Sequence, residues 1–118
     1  MKETKNFSEK EFSCKCGCSQ PHQMQERAML KVQHVRDVYG KPLNLTSAWR
    51  CKKHPDEARK KKAGQHNKGT AVDIAVSDGA IAYDIIRIGL SLGATGFAYG
   101  NGFVHLDWRD STPVTWKY

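Results

Sequence analysis

The chain has 118 residues, a formal net charge of +7, 39% hydrophobic residues and four cysteines. That length supports one domain with a single modest core. No apolar run approaches the roughly 20 residues of a membrane-spanning helix, and the excess of lysine and arginine favours polyanionic surroundings: nucleic acid, anionic lipid, or a wall bearing phosphate groups.

Residues 1–6 are charged and expected to fray. They lack the apolar stretch of a signal peptide, so a chain starting this way is expected to be made in a cytoplasm. Cys14, Cys16 and Cys18 follow, with Cys51 further on. Three cysteines spaced by single residues cannot all pair with one another, and disulfides are uncommon in the cytosol. Two readings stay open. One is a second, structural metal site drawing on these cysteines and on His54. The other is reduced thiols in a turn, with Gly17 supplying backbone freedom.

From about Gln23 to Val38 the apolar residues Met24, Ala28, Leu30, Val32, Val35 and Val38 recur at helical spacing, and Gly40 and Pro42 end that helix. Leu43 to Ser47 alternates as a short strand does. Pro55 opens a polar helix to about Lys62, closed by Gly64. Its basic run, with Lys52, Lys53, Arg59, Lys60, Lys61 and Lys62, reads as a solvated face. Thr70 to Val76 is a buried strand. Asp78 caps a helix over about 79–92, with Ile81, Ile85, Ile88 and Leu92 on one face. Strands near Gly96–Tyr99 and Gly102–Asp107 flank a turn at Asn101-Gly102, and the tail from Val114 adds an edge strand. The fold class is α+β: helices packed on a mostly antiparallel sheet.

Four residues carry chemistry. Asp73 lies inside an apolar strand, where an unpaired carboxylate is costly to desolvate; it binds a metal or pairs with a cation such as Arg50. His66 stands seven residues earlier on a glycine-containing loop. His105 shares one strand face with Asp107, about 6.5 Å further along. Two imidazole nitrogens and one carboxylate oxygen suit a tetrahedral Zn2+ with one open position. Such an ion brings the pKa of water to about 7 and polarises a carbonyl, so amide hydrolysis is the natural reaction. Hydrolysis also needs a proton acceptor. Asp107 is the expected base, its alternative role being to orient His105 through a ring N–H.

The run His66-x-x-Gly69-x-Ala71-x-Asp73, the upstream block Ser47-Ala48-Trp49-Arg50 and the downstream block Phe103-Val104-His105-Leu106-Asp107 resemble zinc D-Ala-D-Ala carboxypeptidases. That family includes the L-alanyl-D-glutamate endopeptidases of phage lysins. Phe7 to Cys18 looks like the start of its compact phage members. The resemblance implies a fold shared with the hedgehog signalling domain, peptidoglycan as substrate, zinc bound by His66, Asp73 and His105, and no dedicated nucleic-acid partner. It implies an enzyme of endolysin type, reaching the wall with help from a holin; a monomer is the expectation for so small an enzyme. Arg50 would stabilise the carbonyl oxygen as charge develops or hold a substrate carboxylate, with a structural pairing to Asp56 or Asp73 as its alternative. Ser47, Trp49 and His54 become candidate substrate contacts, although Pro55 stands where relatives often have Asn. Many relatives also carry an acid three residues before the last metal histidine. Gly102 occupies that place here.

Two other functions compete with the peptidase. A zinc-bearing binding domain without turnover accounts for the missing acid. A basic nucleic-acid-binding protein with a structural cysteine metal site accounts for the charge and the cysteines, and leaves Asp73, His105 and Asp107 unexplained.

Overall fold

Alternation along two strands decides the architecture. In Ala71–Ala75, Val72 and Ile74 point one way and Asp73 the other; in Phe103–Asp107, Val104 and Leu106 oppose His105 and Asp107. The apolar faces combine into a core and leave a polar row on the opposite side of the sheet. The computed structural model describes residues 1–118, in the order α1 (Glu9–Phe12), α2 (Glu26–Tyr39), β1 (Leu45–Ser47), α3 (Pro55–Ala58), α4 (Gln65–Lys68), β2 (Ala71–Ala75), α5 (Gly79–Ser91), β3 (Gly96–Gly100), β4 (Phe103–Asp107) and β5 (Val114–Lys117).

The five strands lie in the order β1-β2-β4-β3-β5. The β1–β2, β2–β4 and β4–β3 pairs are antiparallel, and β5 runs parallel to β3 at the edge. This is an α+β fold with helices on a mixed, chiefly antiparallel sheet. Helix α5 packs on β4 and against α2. The core joins Val72, Ile74, Val104 and Leu106 of the sheet with Met29, Val32 and Val35 of α2 and Ile85 and Ile88 of α5. No helix is long and apolar enough to cross a membrane.

Local chemistry explains the boundaries. Gly40 takes the left-handed conformation that ends α2, and the Asp78 side chain accepts from the Ile81 N–H to start α5. Three segments depart from sequence expectation. The helix opened by Pro55 stops at Ala58 instead of reaching Lys62, because Lys60 and the Gly64 N–H both turn back onto the Glu57 carboxylate. The N-terminus is held: Thr4 Oγ1 and the Asn6 N–H both donate to Gln33 Oε1 on α2. Ser8 and Glu11 close a reciprocal cap on α1, which seats Phe7 and Phe12 in the core.

Candidate metal centre

The register across the sheet builds the site. Ser47 is paired with Asp73, Asp73 with His105, His105 with Ala98, and Ala98 with Trp116. Because paired residues face the same side, one row crosses β1, β2, β4, β3 and β5. Ala98 is fully buried and small, which leaves room for the Trp116 ring to meet His105 edge-on, 4.8 Å between centroids.

His66 comes from outside the sheet. Helix α4 is too short to stand alone and is stitched to the segment after β1. Trp49 Nε1 donates to Asn67 O at 3.0 Å, Asn67 Nδ2 to Arg50 O at 2.8 Å, and the Arg50 N–H to His66 O at 3.3 Å. Gly69, at φ 78°, then reverses the chain into β2. A Cβ there would strike the Gln23 carbonyl, so this turn, which sets the seven-residue spacing of His66 and Asp73, needs glycine.

The two histidines and Asp73 converge, all three buried. Asp73 Oδ1 lies 3.2 Å from His66 Nε2 and 3.1 Å from His105 Nδ1. The far side of each ring is fixed. His66 Nδ1 meets the Ala48 carbonyl at 2.7 Å, and a carbonyl only accepts, so this nitrogen carries the proton. His105 Nε2 meets Asp107 Oδ2 at 2.7 Å, which likewise places the proton there. In their neutral forms both rings therefore aim lone pairs at a carboxylate oxygen, an arrangement that calls for a cation.

The spacing fits a divalent metal. Zinc–nitrogen and zinc–oxygen bonds of about 2.1 Å at tetrahedral angles put neighbouring donors about 3.4 Å apart. Without a cation the cluster attracts a proton. Burial opposes charge on His105, but hydrogen bonds to Asp107 and Asp73 outweigh it and raise its pKa. Burial lowers that of His66. Burial also works against the Asp73 carboxylate, yet its contacts with the His105 and His66 rings hold it well below the usual range.

The site opens on a cavity of about 800 Å³ whose lining includes Ser47, Arg50, His54, His66, Asp73 and His105. Five cationic side chains line it, Lys15, Arg50, Arg59, Lys60 and Arg109, against the carboxylates of Asp56 and Asp73. Arg50 Nη2 donates to Asp73 Oδ2 at 3.2 Å and its Nε to Ser47 Oγ at 2.9 Å. His54 caps α3, its Nδ1 accepting from the Asp56 N–H.

Two expected site residues sit elsewhere. Asp107 is fully buried behind His105, outside the cavity lining. Its oxygens accept from His105 Nε2, from Arg109 Nε at 2.9 Å and from Arg109 Nη2 at 2.7 Å. Burial opposes its charge, but the hydrogen bond from Arg109 leads those that keep it ionised. Trp49 belongs to the core, where its ring is buried and its N–H is spent on Asn67.

Among the cavity residues that sequence reasoning missed are Arg109, Trp116 and Tyr118. Alternation carried past Asp107 points to Arg109, and alternation from Val114 points to the other two. The four cysteines also converge in a separate cluster.

A family model described as peptidase M15 matches residues 5–107, a span containing all three metal-site residues. The chain belongs to the peptidase M15 family. No curated protein matches the chain. Membership, with the buried His-Asp-His cluster, gives this M15 chain the potential of a metallopeptidase.

Proposed function

We propose that this M15 chain is a zinc-dependent peptidase that hydrolyses an amide bond in the stem peptides of peptidoglycan. The observation that carries the reading is the convergence of His66 Nε2, Asp73 Oδ1 and His105 Nδ1, with both outer ring nitrogens already committed. Zinc held by those atoms supplies Lewis acidity, polarising an amide carbonyl and making water a better nucleophile. Ala48 and Asp107 hold the two rings in the ligating tautomer. Arg50 binds the second Asp73 oxygen, which leaves Oδ1 for the metal, and it reaches the cavity wall, where it can donate to a carbonyl oxygen or carboxylate. His54 and Ser47 line the same cavity as substrate contacts.

Charge supports the substrate class. Stem peptides carry free carboxylates, and the cavity is predominantly cationic. The bond cut is either L-Ala–D-Glu, as in an endolysin-type endopeptidase, or the terminal D-Ala–D-Ala; each places a carboxylate-bearing residue in the cavity. The location of Asp107 supports assigning it to the positioning of His105 instead of to proton abstraction.

Mass spectrometry of peptidoglycan fragments tests the proposal. The expected result is new stem-peptide fragments that disappear with a zinc chelator and return with zinc. Their masses identify the bond. A second reading, a zinc-bearing wall-binding domain without turnover, draws on the burial of Asp107 away from the cavity. Zinc-loaded protein that binds wall fragments and releases no peptide would establish it.

A further inference from the structure

The cysteine cluster is chemically independent of the His-Asp-His centre. Cys14, Cys16 and Cys18 lie on the loop after α1, and Cys51 lies just beyond Arg50. Their four sulfurs fall within 4.8 Å of one another. Cys14 Sγ is 3.3 Å from Cys16 Sγ and 3.7 Å from Cys51 Sγ, and Cys16 Sγ is 3.4 Å from Cys51 Sγ. A disulfide needs about 2.05 Å, and all four cysteines are free. A tetrahedral zinc with zinc–sulfur bonds of about 2.3 Å places its sulfurs about 3.8 Å apart. The cluster therefore has the size of a metal tetrahedron, and is too open for covalent pairs.

Two further observations point the same way. The Cys51 backbone N–H donates to Cys14 Sγ at 3.4 Å, a contact that favours a thiolate. Cys51 is also buried, at the point where the N-terminal segment meets the chain leading into α3. The Trp49 backbone N–H donates to Phe12 O at 3.1 Å beside it.

We propose that Cys14, Cys16, Cys18 and Cys51 bind one structural zinc ion as a tetrathiolate. Four thiols and Zn2+ give a four-sulfur complex of charge −2 and release four protons; no electrons are transferred. Lys15, Lys52 and Lys53, adjacent to the ligands in sequence, offset that charge. Four soft sulfur ligands select zinc over magnesium or calcium. The ion ties the loop carrying Lys15, a cavity residue, to the residue after Arg50. Its work is to hold one wall of the cavity, with no part in the reaction.

Metal counting on the whole chain tests this without any activity assay. Purified wild type is expected to hold two zinc equivalents, and a His66→Ala/His105→Ala double variant one. Cobalt loaded into that double variant is expected to show the intense near-ultraviolet sulfur-to-cobalt charge-transfer band. Cys16→Ser, at an exposed position, is expected to lose the cysteine-bound equivalent while keeping the other. A thiol reagent should find the four cysteines protected until a strong chelator is added. Freely reactive thiols in zinc-loaded protein, a mass deficit of disulfides, or a double variant without metal would each overturn the assignment. If Cys16→Ser fails to fold, the zinc content and cobalt spectrum of the double variant still decide it. Failure of the peptidase reading would leave the double variant's count unchanged.

Discussion

Replacing Asp107 with Asn separates the two roles open to that carboxylate. Asp107 receives the His105 Nε2–H at 2.7 Å and two Arg109 N–H groups at 2.9 and 2.7 Å, with no exposed surface of its own. Asn keeps the shape and one acceptor oxygen, loses the charge, and turns an NH2 toward N–H groups that only donate, those of Arg109 at the Oδ1 place or those of both His105 and Arg109 at the Oδ2 place. Losing a group that fixes a metal-bound histidine costs about 10- to 100-fold in metal affinity, or about 1.4–2.7 kcal/mol. Breaking a buried ion pair outright costs about 3–5 kcal/mol of stability. Arg109 keeps some solvent contact, with 18% of its side chain exposed, so Asp107→Ala belongs at about 3 kcal/mol. The assay is competition against a fluorescent zinc chelator, followed by fragment release at saturating zinc. The expected outcome is weakened zinc binding with turnover largely restored by excess metal. An Asn variant that binds zinc as tightly as wild type and stays inactive at saturating zinc refutes the positioning role; Asp107 would then be the proton acceptor.

Gly96 lies opposite Asp107 in the sheet, and a Cβ there would collide with the Asp107 carboxylate. Gly96→Ala is expected to cost about 1–3 kcal/mol in urea unfolding and to lower zinc affinity as Asp107→Asn does. Trp116→Ala removes the edge contact with His105 and the Arg109 guanidinium stacked 5.3 Å over its ring. It should cost about 1 kcal/mol and raise KM in a fragment-release assay, with zinc content unchanged. Glu57 is buried; burial opposes its charge, but the Lys60 and Gly64 hydrogen bonds prevail and depress its pKa below the ordinary 4.5. The unfolded chain therefore binds more protons than the folded one in that range. The stability Glu57 contributes is present above about pH 4.5 and lost as pH falls through its folded value. Glu57→Gln should flatten that acid limb in denaturation measured across pH.

The strands carrying the site were legible because their chemistry is local. Asp73 stands out between Val72 and Ile74, and alternation alone puts His105 and Asp107 on one face. Helix α4 was not legible. Gln65–Lys68 has no apolar periodicity, and its order comes from hydrogen bonds to residues 49 and 50. The position of Asp107 was half legible: strand period placed it beside His105, but the competing pull of Arg109 depends on where the chain goes after β4. Trp49 misled because its family block is read as a unit. The same four residues send Arg50 to the cavity and Trp49 to the core.

The two clusters divide the chain as a pair of clasps would. A metal on the cysteines closes the circuit from Cys14 to Cys51, which encloses α2 and β1; one on the histidines closes a second from His66 to His105, enclosing β2, α5 and β3. The circuits do not overlap. Between them runs the stretch from Lys52 to Gln65, which supplies His54, Asp56, Arg59, Lys60 and Gly64 to the cavity. With both metals bound, that rim would lie outside either circuit and be held by its own contacts alone, chiefly the buried Glu57 carboxylate that gathers Lys60 and the Gly64 N–H.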